Sequence, residues 1–202
     1  GAPESRFNVL RNSRVVGKGD DPRNRVEDLI HVAGNAHHNL IEQNVIESCW
    51  HVDVNCGAAG GNKPHDNVIR GNTIRNRWHT ALQFYQGGAV HNLAEGNVMS
   101  ATGGGPSPAG GVGNVFEASP TDHVIRYNVM ERGGSTNNDT ASVGGAVFAV
   151  YRGSSTLSGN RIYNNTIVKN NGFGIGFMIF QGGASIHDNK IVDNDQYGII
   201  LQ

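Results

Sequence analysis

The sequence predicts an all-β solenoid in which one chain winds through about seven coils, each coil adding one short strand to each of three parallel sheets. Three observations predict it. The 202 residues contain 29 Gly and 24 Asn but only four Lys. Gly and Asn tolerate a left-handed backbone, so the chain suits many sharp turns between short segments and excludes long helices. Six segments align without gaps: HNLIEQNVI (38–46), DNVIRGNTI (66–74), HNLAEGNVM (91–99), DHVIRYNVM (122–130), GNRIYNNTI (159–167) and GASIHDNKI (183–191). A further apolar segment recurs once per period, with no helical periodicity between the segments.

Within each repeat about three residues of strand lead to a turn at an Asn, and a second short strand follows. The turn residues are Asn44, Asn72, Asn97, Asn128, Asn165 and Asn189, separated by 28, 25, 31, 37 and 24 residues, and FNVLRNSRV at the start is a weaker copy with Ser13 in the Asn place. The third strands are LIHVAG (29–34), HVDVNCG (51–57), ALQFYQGG (81–88), NVFEAS (114–119), AVFAVYRG (146–153), IGFMIFQGG (175–183) and the terminal GIILQ. Stacked coils lie about 4.8 Å apart, so equivalent residues form columns. Two places before the Asn, Glu42, Arg70, Glu95 and Arg126 alternate in charge and face water. Six places before it stand His38, Asp66, His91 and Asp122, and five before it Asn39, Asn67, Asn92, His123 and Asn160. Two places after it, Ile46, Ile74, Met99, Met130, Ile167 and Ile191 read as core. The polar ladders are expected to be structural, each amide bonding up and down the stack.

Composition narrows the function. Sixteen basic against seventeen acidic residues give a net charge of −1, which argues against a nucleic-acid or acidic-membrane partner. No run approaches the roughly 18 apolar residues of a membrane span, and the opening GAPESRFNVL does not have the pattern of a signal peptide. Cys49 and Cys56 are read as free buried thiols rather than a bridge.

The units ending NVI, NTI, NVM and NKI, each with its turn Asn, resemble the right-handed, single-stranded parallel β-helix repeats of the pectate-lyase-like superfamily, from about Phe7 to Gln202. That group contains polysaccharide lyases, glycoside hydrolases, uronan epimerases, tailspikes and adhesins, so the resemblance is specific for fold and poor for function. It implies an extracellular or cell-surface protein with a sugar-binding groove over one sheet. Two departures stand out: no amphipathic capping helix precedes the repeats, and the chain stops in mid-strand at GIILQ. Residues 1–202 are therefore expected to form a single β-helix domain lacking one or both caps and belonging to a longer protein. Its open ends invite end-to-end self-association or cover by the remaining chain.

Function on a repeat scaffold is carried by its insertions. The longest, 56–66, 100–114 and 131–145, flank the third strand and would wall a groove along that sheet. Aligning the third strands on their apolar alternation gives the outward column His31, Asp53, Gln83 and Glu117, which turns apolar at Ala149 and Met178. A neighbouring column holds Asn55, Tyr85, Ser119 and Tyr151, with Arg152 adjacent. Trp50-His51 and Trp78-His79 stand six and seven residues after Asn44 and Asn72. A Trp face stacks on a sugar ring and His exchanges protons near neutral pH. His65, with Lys63 and Asp66, lies near the same end.

The GHG and paired-Asp strand ends of polygalacturonases, the DPHD of alginate epimerases and the RxPxxR of pectate lyases are missing, as are zinc, phosphate-loop and Ser-elbow signatures. The preferred reading is binding of an acidic polysaccharide with β-elimination or epimerisation. His51 or His79 would act as base, with Arg152, Lys63 or His31 neutralising the uronate carboxylate. Trp50, Trp78, Gln83, Tyr85, Tyr151 and His65 would bind the sugar. A non-catalytic stalk, adhesin or tailspike-like module ranks beside it. A glycoside hydrolase using Asp53 and Glu117 is the third reading. No cofactor is required. Calcium is admitted at Asp53 with Glu117, although two carboxylates two coils apart make a poor cage.

Overall fold

Three kinds of tight turn generate the fold. At each, a residue with left-handed backbone precedes a residue whose side chain or backbone N–H joins the next coil. At the first-to-second strand corner these left-handed residues are Asn12, Gln43, Gly71, Gly96, Tyr127, Asn164 and Asp188, with φ between 52° and 64°. Three of the seven, Gln43, Tyr127 and Asp188, are neither Gly nor Asn, so the stacked turn imposes a conformation that costs an L-residue roughly 1–2 kcal/mol. The Asn that follows offsets that cost.

The structure, a computed structural model, describes residues 4–17, 28–57, 63–77, 79–84, 89–102, 115–118, 121–134, 145–149, 159–177 and 184–201, with the backbone alone for residues 117, 145–149, 177 and 201. The described residues form strands and turns without a helix. The first sheet stacks Val9–Arg11, Leu40–Glu42, Val68–Arg70, Leu93–Glu95, Val124–Arg126, Arg161–Tyr163 and Ser185–His187 in chain order. The second stacks Arg14–Val16, Val45–Glu47, Thr73–Asn76, Val98–Ala101, Val129–Glu131, Thr166–Val168 and Lys190–Val192. The third stacks Asp28–Val32, Val52–Cys56, Thr80–Phe84, Phe116–Ala118, Gly145–Ala149, Phe173–Phe177 and Ile199–Leu201. Every pairing is parallel. This is the three-sheet parallel solenoid that the repeats predict.

The Asn column forms as expected. Asn72 Oδ1 accepts both the backbone N–H (3.0 Å) and the side-chain Nδ2–H (3.0 Å) of Asn44, while Asn72 Nδ2 donates onward to Asn97 Oδ1 (3.0 Å) and back to the Ile41 carbonyl (2.9 Å). The pattern continues through Asn128, Asn165 and Asn189. The second ladder runs Asn8, Asn39, Asn67, Asn92, and then His123, whose Nδ1 accepts the Asn92 N–H. Burial pushes the His123 imidazole down to about 3, so it stays neutral in that role. A third, shorter ladder was not legible in the repeats: Asn194 receives Asn170, which receives the Gly133 N–H, each after a left-handed Asp193, Lys169 or Arg132.

Inside, Ile46, Ile74, Met99, Met130 and Ile167 stack in register and are fully buried. Burying a side chain of this kind contributes roughly 1.5–3 kcal/mol. Phe84 and Phe116 meet edge-to-face at 5.3 Å beneath the third sheet. Outside, Arg70 holds Glu42 at 2.8 Å and Arg126 holds Glu95 at 2.6 Å, the charge alternation read from the repeats. Cys49 and Cys56 are buried thiols that form no disulfide.

Candidate functional site on the third sheet

The register of the third sheet corrects the polar column. His31 pairs with Asn55, Asn55 with Gln83, Gln83 with Glu117, and Glu117 with Phe148, then Gly176. Asn55, not Asp53, therefore occupies the second coil. The column turns apolar at Phe148 and Gly176 instead of Ala149 and Met178. Alternation could not separate the two candidates, because Asp53 and Asn55 share the same parity on their strand. The slip moves Asp53 two residues along the sheet. Its backbone then stands about 12 Å from that of Glu117, from two rungs of about 4.8 Å and an offset of about 6.6 Å, not the 9–10 Å of a shared column.

Asp53 is also withdrawn from solvent, with none of its surface exposed. Its Oδ1 accepts the Cys49 N–H at 2.9 Å, and Oδ2 is buried without a hydrogen-bond partner. Burial pushes its carboxyl up to about 7, against hydrogen bonds from the Cys49 N–H and thiol. The same burial, with the Asp53 charge beside it, drives the Cys49 thiol far upward. A carboxyl so placed cannot reach a sugar in the groove or share a calcium ion with Glu117, so the hydrolytic pair and the calcium pairing both lose a member.

The structure instead gathers His31, His51 and Asn55 around Asp28, a residue the sequence reading passed over. Asp28 Oδ1 lies 3.1 Å from His51 Nδ1, and Asp28 Oδ2 accepts the Asn55 Nδ2–H at 2.9 Å and faces His31 Nδ1 at 3.7 Å. Burial alone would raise the Asp28 carboxyl. The hydrogen bonds from His51 and Asn55, and the charges of His51 and His31, outweigh it and hold Asp28 below its ordinary value. The Asp28 side chain is 13% exposed and that of His51 37%, so the carboxylate is sheltered and the imidazole reaches solvent. A carboxylate only accepts, so His51 carries its proton on Nδ1 and its lone pair on Nε2. His31 Nε2 likewise donates to the Gly57 carbonyl at 2.9 Å. The signal for Asp28 was a carboxylate opening a third strand at the place where the next coils put Val52 and Thr80.

The other expected residues divide. The His79 ring lies 4.8 Å from that of His51, tilted by 43°, but is only 8% exposed, with Nδ1 2.8 Å from the Thr80 hydroxyl. Trp50 is half-buried and Gln83 buried. Lys63 is exposed, its N–H bonded to Asn35 Oδ1 at 3.1 Å. His65 stands apart, at the corner between the third and first sheets, 2.7 Å from Asp66. Trp78, Tyr85, Tyr151 and Arg152, with Ser119 and Met178, lie outside the described residues, as does the side chain of Glu117.

No protein-family model matches the chain, and no curated protein sequence does. Among solved structures it is similar to the crystal structure of alginate lyase from Paenibacillus sp. str. FPU-7, with a TM-score of 0.69 and 15% identity over 97% of this chain. The chain spans 66% of the length of that one. The likeness is one of fold: this protein is a parallel β-helix, the architecture its repeats resemble in the pectate-lyase-like superfamily.

Proposed function

We propose that the protein binds an acidic polysaccharide along the third sheet and processes it by β-elimination or epimerisation, with His51 as the base. The observation that carries this reading is the Asp28–His51 pair at the polar end of that sheet. A sheltered carboxylate that fixes the tautomer of a partly exposed imidazole is the arrangement a positioned general base requires. The likeness to an alginate lyase supports the choice of substrate class. An extracellular or cell-surface location goes with a polymeric substrate.

His51 Nε2 takes the proton beside the uronate carboxylate, and His31, Lys63 or Arg152 neutralises the charge that builds on that carboxylate. In elimination the electron pair forms a C=C bond as the glycosidic C–O bond β to the carboxylate breaks. The leaving oxygen takes a proton from the His51 imidazolium or from solvent. In epimerisation a water-derived proton is delivered to the opposite face, while His51 keeps the one it took and later releases it to solvent. Asp28 touches no substrate and acts as a positioning residue.

The test is a panel of uronans and neutral glycans with wild type, His51→Ala and Asp28→Asn. Ultraviolet absorbance from an unsaturated product identifies elimination, and NMR of the recovered polymer identifies epimerisation. Either should fall by at least about 100-fold in His51→Ala. Glycan binding without turnover selects the adhesin-like module, and neither binding nor turnover removes the groove altogether.

A further inference from the structure

The corner that leads from the third sheet back into the first carries the ladder His38, Asp66, His91 and Asp122, each left-handed at φ 54°, 53°, 54° and 58°. The residue before each is His37, His65, Val90 and Thr121, so a second histidine accompanies the ladder on its first two rungs alone. Parallel bridges join His37 to His65 and His65 to Val90, which fixes the register. The result is a two-by-two grid, His37-His38 beside His65-Asp66. The rings of His37 and His65 stack at 4.8 Å, 3° from parallel, and His37 Nδ1 meets His38 Nδ1 at 2.7 Å. His37 Nε2 faces Glu4 at 3.6 Å. One ring nitrogen each from His38 and His65 and one carboxylate oxygen of Asp66 all lie within 4.8 Å of one another.

We propose that His38, His65 and Asp66 bind a divalent transition cation, zinc in the first instance. Donors around one zinc at 2.0–2.1 Å stand about 3.4 Å apart, so rotation of three partly exposed side chains by about an ångström or two closes the site. Two imidazoles with one carboxylate suit zinc, whereas calcium takes six to eight oxygens. His37 orients the site through its contacts with both rings, the kind of support that fixes which imidazole nitrogen a metal meets. The grid shares no residue with the Asp28–His51 pair.

The chain contains its own control. His187-Asp188 repeats the local arrangement of His65-Asp66, with the same 2.7 Å Nδ1–Oδ2 contact, but Tyr163 stacks on His187 where His37 stacks on His65. The experiment is isothermal titration of tag-free protein with zinc chloride, repeated with cobalt(II) and its visible absorption. One zinc per chain is expected. His38→Asn, His65→Gln and Asp66→Asn should each weaken it at least tenfold, while His187→Gln leaves it unchanged. Asn accepts the left-handed backbone, so the corner turns survive, and circular dichroism of the metal-free variants verifies the fold. Absence of saturable zinc binding overturns the proposal. So does equal affinity in the three site variants, or an equal loss in His187→Gln, which would make the binding a property of scattered imidazoles.

Discussion

Replacing Asp53 by Asn should make the protein more stable at neutral and alkaline pH and leave it nearly unchanged in acid. The native carboxyl is pushed up to about 7 by burial, from an ordinary 3.8. Between those two values the unfolded chain has released the proton and the native chain has kept it. Native stability therefore falls as pH rises through that window, and stays at the lower level above it. A span of about three pH units at about 1.36 kcal/mol each gives a penalty on the order of 4 kcal/mol. Asn carries no charge to desolvate, and its Oδ1 can accept the Cys49 N–H that Asp53 Oδ1 accepts at 2.9 Å. The Asn amide N–H groups take the place of the protonated carboxyl's O–H around Oδ2, which makes no hydrogen bond in the native protein, so the acid-side difference should be small. Urea unfolding of both proteins at pH 4.5, 6 and 8 measures the gap. It should open from about 1 kcal/mol at the lowest pH to about 4 kcal/mol at the highest. A gap that is constant with pH, or a variant less stable at pH 8, would refute the burial argument. Uronan turnover should be untouched by the same substitution, because Asp53 lies beneath the groove.

Asn97→Ala removes the acceptor of both Asn72 donors and leaves Ile69 O and Asn128 Oδ1 short of a partner. With about 1–3 kcal/mol for each buried donor left unmade, denaturant unfolding should show a loss of about 3 kcal/mol or more, larger than that of Asn189→Ala on the half-exposed edge rung. Asp28→Asn tests the positioning role by pH. Asp28 is held below its ordinary value, so the stability it contributes is full above that value and lost as pH falls through the lowered one. The variant's acid unfolding limb should be flatter than wild type below about pH 4. If the variant also changes kcat with little effect on KM, Asp28 acts through His51 and not through the substrate.

The first two sheets were legible because their corner has a fixed length. Asn44, Asn72 and their successors always separate two short strands, so counting from one Asn places every residue from His38 to Ile46 and its equivalents. The third sheet is reached through connections of varying length, and there the register slipped. The count was nonetheless available: Gln83 follows Asn72 by 11 residues, Asn55 follows Asn44 by 11 and Gly176 follows Asn165 by 11. The same count places Trp50-His51 and Trp78-His79 as equivalents. Apolar alternation admits Asp53 and Asn55 equally, and the carboxylate it placed outward proved to be buried. Asp28 escaped because its coil precedes the first strong repeat, where Ser13 stands for the Asn and the count has no anchor.

The Asn ladder has a direction. In every pair the earlier coil supplies the donors and the later coil the acceptor, as when Asn44 gives both its N–H groups to Asn72, while the later Asn reaches back to a carbonyl of the earlier coil. A growing stack thus always presents unsatisfied donors toward the side that is synthesised next, and each new coil completes the turn beneath it. The solenoid behaves as a vectorial polymer whose monomer is a coil. A nascent chain emerging from its N-terminal end would lay coils down in the order that satisfies them, and unravelling would start at the coil still waiting for its acceptor.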